Sequence, residues 1–137
     1  MTFSQSEIAY LRSQRIGRLA TQQRNGTLQV SPVGFRVDES NGTIDIGGYF
    51  MSTSQKFRNV AHNPAVAFVV DDVPSVDPWR VRCVEIRGTA EAVAPTHPAT
   101  PGDDDGLIRI HPSRVISFGI DESGDPHDIV DKMLEGR

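Results

Sequence analysis

The sequence predicts a mainly β protein: a small antiparallel barrel of six strands with two short helices. Three observations lead to this prediction. Apolar and polar residues alternate over several short segments, which is typical of half-buried strands. Asn-Gly pairs beginning at Asn25 and Asn41 indicate tight turns between such segments. The chain has 137 residues, of which 37% are hydrophobic. This length and composition are sufficient for one hydrophobic core and predict a single domain.

The first element is predicted to be an amphipathic helix. Ser4 and Glu7 have the spacing of a capping box, in which a hydroxyl and a carboxylate accept hydrogen bonds from free N–H groups at a helix start. Ile8 and Leu11 follow at helical spacing, and the pattern ends near Ser13.

Three strands of a meander are predicted next, over residues 15–22, 27–37 and 43–48. A second helix is predicted over residues 53–62, because Ser52 begins another capping-box pattern and Asn63-Pro64 ends the segment.

Two long strands and a final one complete the predicted barrel. Residues 65–71 read AVAFVVD, and their apolar run up to Val70 predicts a strand buried on both faces. Residues 72–78 are expected to form a loop, residues 80–93 a strand, residues 94–106 a Pro- and Asp-rich loop, and residues 114–120 the closing strand. Several strands have apolar residues on both faces, which favours burial of one face in a subunit interface.

The C-terminal segment differs in charge from the rest. Residues 1–121 are assigned to the barrel domain, and residues 122–137 to an acidic tail of the same domain with one short helix at 128–134. Net charge is -4, but residues 1–102 carry ten Lys/Arg against nine Asp/Glu, while residues 103–137 carry four against nine. This balance does not favour nucleic acid as a partner and places any bound anion on the first three quarters of the chain.

Composition also restricts the compartment and the chemistry. The longest apolar stretch is far below the ~20 residues of a membrane span, and the polar N-terminus does not resemble a leader peptide. With Cys83 as the single cysteine, we expect a cytoplasmic protein without membrane contact. The four histidines are not at metal-ligand spacing, so no metal site is expected. The acidic pairs at Asp71-Asp72 and residues 103–105 are interpreted as solvated turn residues.

The best candidate for an anion site is the segment after the third strand. Gly47-Gly48 is followed by Ser52, Thr53, Ser54, Gln55, Lys56 and Arg58. A helix start with hydroxyls and cations suits a phosphate, and the glycines let a flat ring approach the backbone. The alternative is an ordinary helix cap followed by a solvated lysine.

A second candidate is the segment containing Trp79, Arg80 and Arg82. Arginines beside an indole can clamp an anionic aromatic ligand. Equally, Trp79 could plug the end of the barrel while the arginines face solvent. The sequence does not identify a catalytic residue; Cys83, in a predicted strand, is interpreted as a small buried residue.

The chain resembles the pyridoxamine 5'-phosphate oxidase-like split-barrel superfamily, and within it the PPOX-class F420-dependent oxidoreductases. The matching segments are IGRLAT (16–21), QVSPVGF (29–35), TIDIGG (43–48), STSQKFRNV (52–60), DPWRVRCVEIRGTAE (77–91) and IRIHPSRVISFGID (108–121). The resemblance implies a split barrel that forms a homodimer with cofactor sites at the interface. Carried over by position, the ring contacts are Ser31, Pro32, Val33, Gly47 and Gly48, the phosphate contacts are Ser54, Gln55 and Lys56, and the pocket is completed by Trp79, Arg80 and Arg82.

The resemblance also implies a function. The leading expectation is a reductase that transfers a hydride from reduced coenzyme F420 to a conjugated small-molecule substrate, with Arg58 and the strand arginines near the acidic tail of the cofactor. The alternatives are an FMN-binding oxidoreductase or oxidase and a non-catalytic flavin-binding module. Pyridoxine chemistry is not expected, because the second strand lacks a basic residue beside the ring and the C-terminal segment lacks a tryptophan.

Overall fold

The computed structural model describes residues 2–97 and 104–120, together with the backbone of residues 129–133. In chain order the elements are α1 (Gln5–Ser13), β1 (Ile16–Gln22), β2 (Leu28–Gly34), β3 (Arg36–Asp38), β4 (Thr43–Ile46), α2 (Gln55–His62), β5 (Ala65–Val76), β6 (Trp79–Val93), β7 (Leu107–Phe118) and β8 (Ile129–Met133). A short 3-10 turn, Met51–Thr53, precedes α2. The mainly β prediction is therefore confirmed.

All the strands belong to one curled antiparallel sheet. The order is β2-β1-β5-β6-β7-β4-β3, and β8 pairs with β7 beyond the end of β4. The first and last strands of this order, β2 and β3, are joined through Phe35 alone. The chain thus connects the two ends of the sheet directly, as in a split barrel.

The core lies on the concave face of the sheet. Its most buried apolar side chains include Leu19, Ile44, Ile46, Phe68, Val70, Val84, Ile86, Ile108 and Ile110. Phe68 packs edge-on against Phe35, with 5.3 Å between ring centroids. A Cβ at Gly17 would lie 2.4 Å from the Phe68 ring, so the ring packs directly on the backbone of β1. These contacts hold the β2–β3 connection on the body of the barrel.

The N-terminal capping box is confirmed. The Glu7 amide donates to Ser4 Oγ at 3.1 Å, and the Ser4 amide donates to Glu7 Oε1 at 2.8 Å. Glu7 is fully buried, and its other carboxylate oxygen accepts from Ser117 Oγ at 2.8 Å. The cap therefore also ties α1 to β7.

The prediction of a second capping box beginning at Ser52 is wrong. α2 begins at Gln55, and its cap is Ser54, whose hydroxyl accepts from the Phe57 amide at 3.3 Å. Ser52 lies in the preceding 3-10 turn and binds Asp104 instead. The predicted end of the helix at Asn63 is confirmed.

Several strand predictions need correction. Residues 27–37 form two strands because the chain breaks at Phe35. The expected loop at 72–78 is mostly strand, since β5 continues to Val76 and turns through a cis Asp77-Pro78 bond. β7 begins at Leu107 rather than at residue 114. β5 alternates between buried and more exposed side chains, so in this chain it is not buried on both faces.

The C-terminal prediction was also wrong where the structure describes it. Residues 129–133 form β8 and pair with β7, so the predicted helix at 128–134 is replaced by a strand. Within the part of the chain that the structure describes, the sheet has eight strands, whereas six were predicted. The proposed boundary at 121/122 lies outside the described residues. No helix among the described residues is long and apolar enough to cross a membrane.

Candidate cofactor-binding site

The exit of β4 presents open backbone. Gly47 and Gly48 are exposed, and a Cβ built on either would meet no atom within 4 Å. Gly47 lies in a cleft of about 340 Å³. The other lining residues are Gly34, Phe35, Arg36, Asp45, Asp104, Asp105, Gly106 and Leu107. Backbone at Gly47 and Gly48 is therefore accessible to a flat ligand.

The acidic side chains around this cleft are already engaged. Asp45 is buried and accepts from Arg109 Nε at 2.9 Å. Asp104 accepts from the Ser52 amide at 2.9 Å and from Ser52 Oγ at 2.5 Å, and these bonds hold its pKa below the ordinary value. Interpreting Asp104 as a solvated turn residue was therefore wrong: it anchors the 3-10 turn before α2.

The start of α2 offers donors for an anion. The amides of Gln55 and Lys56 occupy the first two helical positions, which have no intrahelical acceptor. Among the described residues no carboxylate forms an ion pair with Lys56, which is half-buried. The Ser54 hydroxyl, in contrast, donates to the Met51 carbonyl at 2.7 Å while it caps the helix. This donor set fits a phosphate, with Ser54 shaping the turn.

A buried amide joins α2 to the first hairpin. Asn59 is 2% exposed, and its Nδ2 donates to Thr21 Oγ1 and to Gln29 Oε1, both at 3.0 Å. Its Oδ1 accepts from Gln55 Nε2 at 2.7 Å. Gln29 also donates to Ser31, at 3.3 Å. The network thus brings together Gln55 and Ser31, two of the predicted site residues.

A second cleft, of about 320 Å³, lies between the β1–β2 turn and α2. It is lined by Gln23, Arg24, Asn25, Gln55, Arg58, Asn59 and His62. These residues include no carboxylate, so the cleft is suited to an anionic group. Arg58 thus lies at a different cleft from Gly47.

The β5–β6 hairpin separates the three residues predicted there. Trp79 is 61% exposed at its end, so the interpretation of this residue as a plug over the barrel was wrong. Arg80 is exposed as well. Arg82 donates to both carboxylate oxygens of Asp72, at 2.9 and 2.6 Å, and its guanidinium lies 5.1 Å from the Tyr10 ring centroid. Arg82 therefore holds α1 to the hairpin.

This ion pair perturbs its neighbours. The Arg82 hydrogen bond holds the pKa of Asp72 below its ordinary value. Burial, followed by the hydrogen bond to Asp72 at 2.8 Å, raises the pKa of Tyr10. Asp71 in turn pairs with Arg18 at 2.9 Å. Asp71 and Asp72 therefore lie in β5 and form ion pairs, so placing them in a turn was wrong, although Asp71 is solvent-exposed as expected.

Cys83 is half-buried on β6, and burial raises the pKa of its thiol to about 11. The thiol is therefore protonated at neutral pH, and a nucleophilic role is not favoured. Within the described residues, no group of three His, Cys, Asp or Glu side chains is placed to hold a metal ion.

Of the remaining predicted contacts, Pro32 is exposed on β2, whereas the Val33 side chain is buried in the core. Sequence reasoning missed Gln29, Asn59 and Asp104. Asn59 carried a detectable signal, because it stands beside Val60 on the apolar side of α2, where an amide needs a partner.

Comparison with known proteins identifies relatives over most of the chain. The family model described as pyridoxamine 5'-phosphate oxidase matches residues 5–102. A 5a,11a-dehydrotetracycline/5a,11a-dehydrooxytetracycline reductase of Streptomyces rimosus is 53% identical over 123 residues, which is 88% of this chain and 86% of the relative.

Solved structures agree with this assignment. A conserved hypothetical protein of Mycobacterium tuberculosis is 26% identical with a TM-score of 0.67, covering 93% of this chain and 92% of that one. A structure described as an F420 reductase is 28% identical with a TM-score of 0.54, covering 72% and 86%. The chain therefore belongs to the pyridoxamine 5'-phosphate oxidase family.

Proposed function

We propose that this protein is an F420-dependent reductase that transfers a hydride to a conjugated organic substrate. The observation that carries the proposal is the 53% identity to a reductase over nearly the whole of both chains. The likeness to a structure described as an F420 reductase supports the choice of cofactor.

The substrate class follows from the same relative. Its name describes a dehydrogenated tetracycline, so the compound that it reduces is polycyclic and gains two hydrogens. We propose a polycyclic substrate with a conjugated double bond for this protein too. The open backbone at Gly47 and Gly48 is consistent with a flat ligand, because no side chain lies where a Cβ would point.

The residues of this chain would bind and orient the cofactor. The amides of Gln55 and Lys56 and the Lys56 ammonium hold its phosphate, in the turn that Ser54 shapes. Ser31, Pro32, Gly47 and Gly48 would lie along its ring, and Val33 would contribute only its backbone because its side chain is buried in the core. Arg58, Trp79 and Arg80 complete the site, and Arg82 acts through its ion pair with Asp72. When bound, the reduced deazaflavin supplies the hydride.

We further propose that the working unit is a homodimer. The outer face of β1, β2 and β5 carries apolar side chains around a groove of about 280 Å³, among them Ala20, Val30, Ala67 and Val69. Val30 is 68% exposed. Apolar faces of this kind mark protein interfaces, and a second copy accounts for the apolar residues on both faces of β5. We propose that the cofactor binds at the interface between the two copies.

A turnover assay tests the function. The protein is mixed with reduced F420 and a dehydrotetracycline, and cofactor oxidation is followed by absorbance while the product is identified by mass. The proposal predicts product two hydrogens heavier, formed in proportion to cofactor oxidised. Turnover with reduced FMN alone would favour the FMN-dependent alternative, and binding without turnover would favour a flavin-binding module.

Sedimentation tests the dimer separately. A species of twice the 15.0 kDa chain mass is expected. A Val30→Glu variant places a charge on the apolar face and is expected to shift the protein toward monomer, whereas a Ser6→Glu variant at an exposed position of α1 serves as the matched control. A wild-type monomer at working concentration would contradict the dimer.

A further inference from the structure

A chain of hydrogen bonds runs from the surface of α2 to β2. Arg58 Nη2 donates to Gln55 Oε1 at 2.9 Å, and Gln55 Nε2 donates to Asn59 Oδ1 at 2.7 Å. Asn59 Nδ2 donates to Gln29 Oε1 at 3.0 Å, and Gln29 Nε2 donates to Ser31 Oγ at 3.3 Å. Three consecutive amides therefore accept at their oxygen and donate at their nitrogen in the same direction.

Arg58 determines this direction. A guanidinium has five N–H donors and no acceptor, so the Gln55 atom that faces it must be oxygen. The amide nitrogen of Gln55 then faces Asn59, and the same reasoning orients Asn59 and Gln29 in turn. An amide or hydroxyl at position 58 would permit either direction, whereas a cation permits one.

Burial preserves the orientation along the middle of the chain. Asn59 and Thr21 are each 2% exposed, and the second amide proton of Asn59 is used by Thr21 Oγ1 at 3.0 Å. The amide oxygen and both amide protons of Asn59 are thus hydrogen-bonded away from water. Reversing the Asn59 amide would place a buried donor opposite another donor, which is unfavourable.

The chain ends on a hydroxyl whose proton is free to donate. Ser31 Oγ accepts from Gln29, so its own proton points elsewhere. No acceptor for that proton lies among the described residues, and Ser31 is half-buried rather than fully solvated. The hydroxyl is therefore available to a bound molecule as an oriented donor.

We propose that Ser31 donates a hydrogen bond to a carbonyl oxygen or ring nitrogen of the bound cofactor, and that Arg58 is a positioning residue that orients this donor through Gln55, Asn59 and Gln29. The inference rests on the proposed function for the identity of the ligand. It assigns to Arg58 a role that does not require contact with the phosphate, and it makes the site selective for a ligand with an acceptor at this place.

Binding of F420 to the dimeric protein is the first test. Ser31→Ala is expected to raise Kd roughly 2- to 12-fold, the value of one neutral hydrogen bond, whereas Ser31→Thr keeps the hydroxyl and the affinity. Arg58→Gln is expected to raise Kd. Arg58→Lys keeps a donor-only group at the end of the hydrogen-bond chain and is expected to retain most of the wild-type affinity.

A double-variant cycle separates positioning from simple charge. In the Ser31→Ala background Arg58→Gln should have a smaller effect than in the wild type, because the donor that it orients is gone. Arg24→Gln removes an arginine from the same cleft without touching the chain, so its effect should multiply with that of Ser31→Ala. Multiplying effects for Arg58 as well would overturn the proposal.

An NMR measurement on the ligand-free protein tests the orienting role of Arg58 independently of the proposed function. Side-chain amide NMR signals of Asn59 and Gln29 should move in Arg58→Gln and stay in place in Arg24→Gln and Arg58→Lys. Unmoved signals in Arg58→Gln would refute the orienting role even if the cofactor binds. If wild-type protein binds neither F420 nor FMN, the proposed function fails, while the amide signals still decide whether Arg58 orients the chain.

Discussion

Replacing Arg82 by methionine is expected to destabilise the fold, because the structure gives this arginine a partner inside the chain. Its two hydrogen bonds to Asp72 measure 2.9 and 2.6 Å, and both side chains are about one third exposed. A hydrogen bond to a charged group contributes ~1.5–3 kcal/mol when shielded, and solvent at this exposure reduces the pair to about 1–2 kcal/mol. The contact with the Tyr10 ring adds ~0.5 kcal/mol.

Urea unfolding followed by Trp79 fluorescence measures this effect. With an m-value of ~2 kcal/mol/M, the midpoint should fall by about 1 M. Arg80→Met is the matched control: it removes an exposed arginine that has no ion pair among the described residues, and the midpoint should change by less than ~0.3 M. Equal midpoints for Arg82→Met and wild type would refute the structural role and favour the alternative that Arg82 binds the cofactor directly.

The same pair makes stability depend on pH. The Arg82 hydrogen bond lowers the pKa of Asp72 in the folded state, so its contribution is fully present above the ordinary value of 3.8. It is lost as the pH falls through the lower, folded-state pKa. The stability difference between wild type and Arg82→Met should therefore shrink below pH 3.8, and a difference that grows there would contradict the assignment.

Three further predictions concern the site and the sheet. Lys56→Ala should weaken cofactor binding by ~1.5–3 kcal/mol, because a charge-assisted contact is lost; calorimetry measures it, and an unchanged Kd rejects the phosphate assignment. Gly88→Ala should destabilise the fold by about 2–3 kcal/mol, since the new Cβ would lie 2.2 Å from the His111 carbonyl oxygen; an unchanged melting temperature would contradict this. Cys83 should react with a thiol reagent faster with each pH step up to about pH 11, and a plateau near neutral pH would contradict the raised pKa.

Local signals predicted the elements whose cause is local. Two predictions are confirmed: the capping box of Ser4 and Glu7, and the hairpin around the first Asn-Gly turn. Each depends on residues a few positions apart. The C-terminal strand was missed because residues 129–133 gain their hydrogen bonds from β7, whose paired residues lie 11 to 19 positions earlier in the chain and so outside the range of a local pattern. Ser52 was taken for a helix cap because its partner, Asp104, lies 52 residues away.

The same distinction applies to the site. Spacing located the segment from Gly47 to Lys56 at the junction of a strand and a helix. It put Gly47 inside the strand and the helix start at residue 53, whereas β4 ends at Ile46 and α2 begins at Gln55. The sequence does not distinguish Arg80 from Arg82, because the two residues lie two positions apart on the same face of the predicted strand. Only the pairing of β5 with β6 brings Asp72 opposite Arg82 and leaves Arg80 free of such a partner among the described residues.

Titration of the purified protein with F420 and with FMN, followed by Trp79 fluorescence, tests the central claim most directly. Trp79 is 61% exposed at the hairpin end and is the sole tryptophan, so its signal reports one place. The account predicts a saturable change with F420 at a lower Kd than with FMN, and a Kd for F420 that is raised roughly 10- to 150-fold in Lys56→Ala. Saturable binding of FMN with no response to F420 would contradict it.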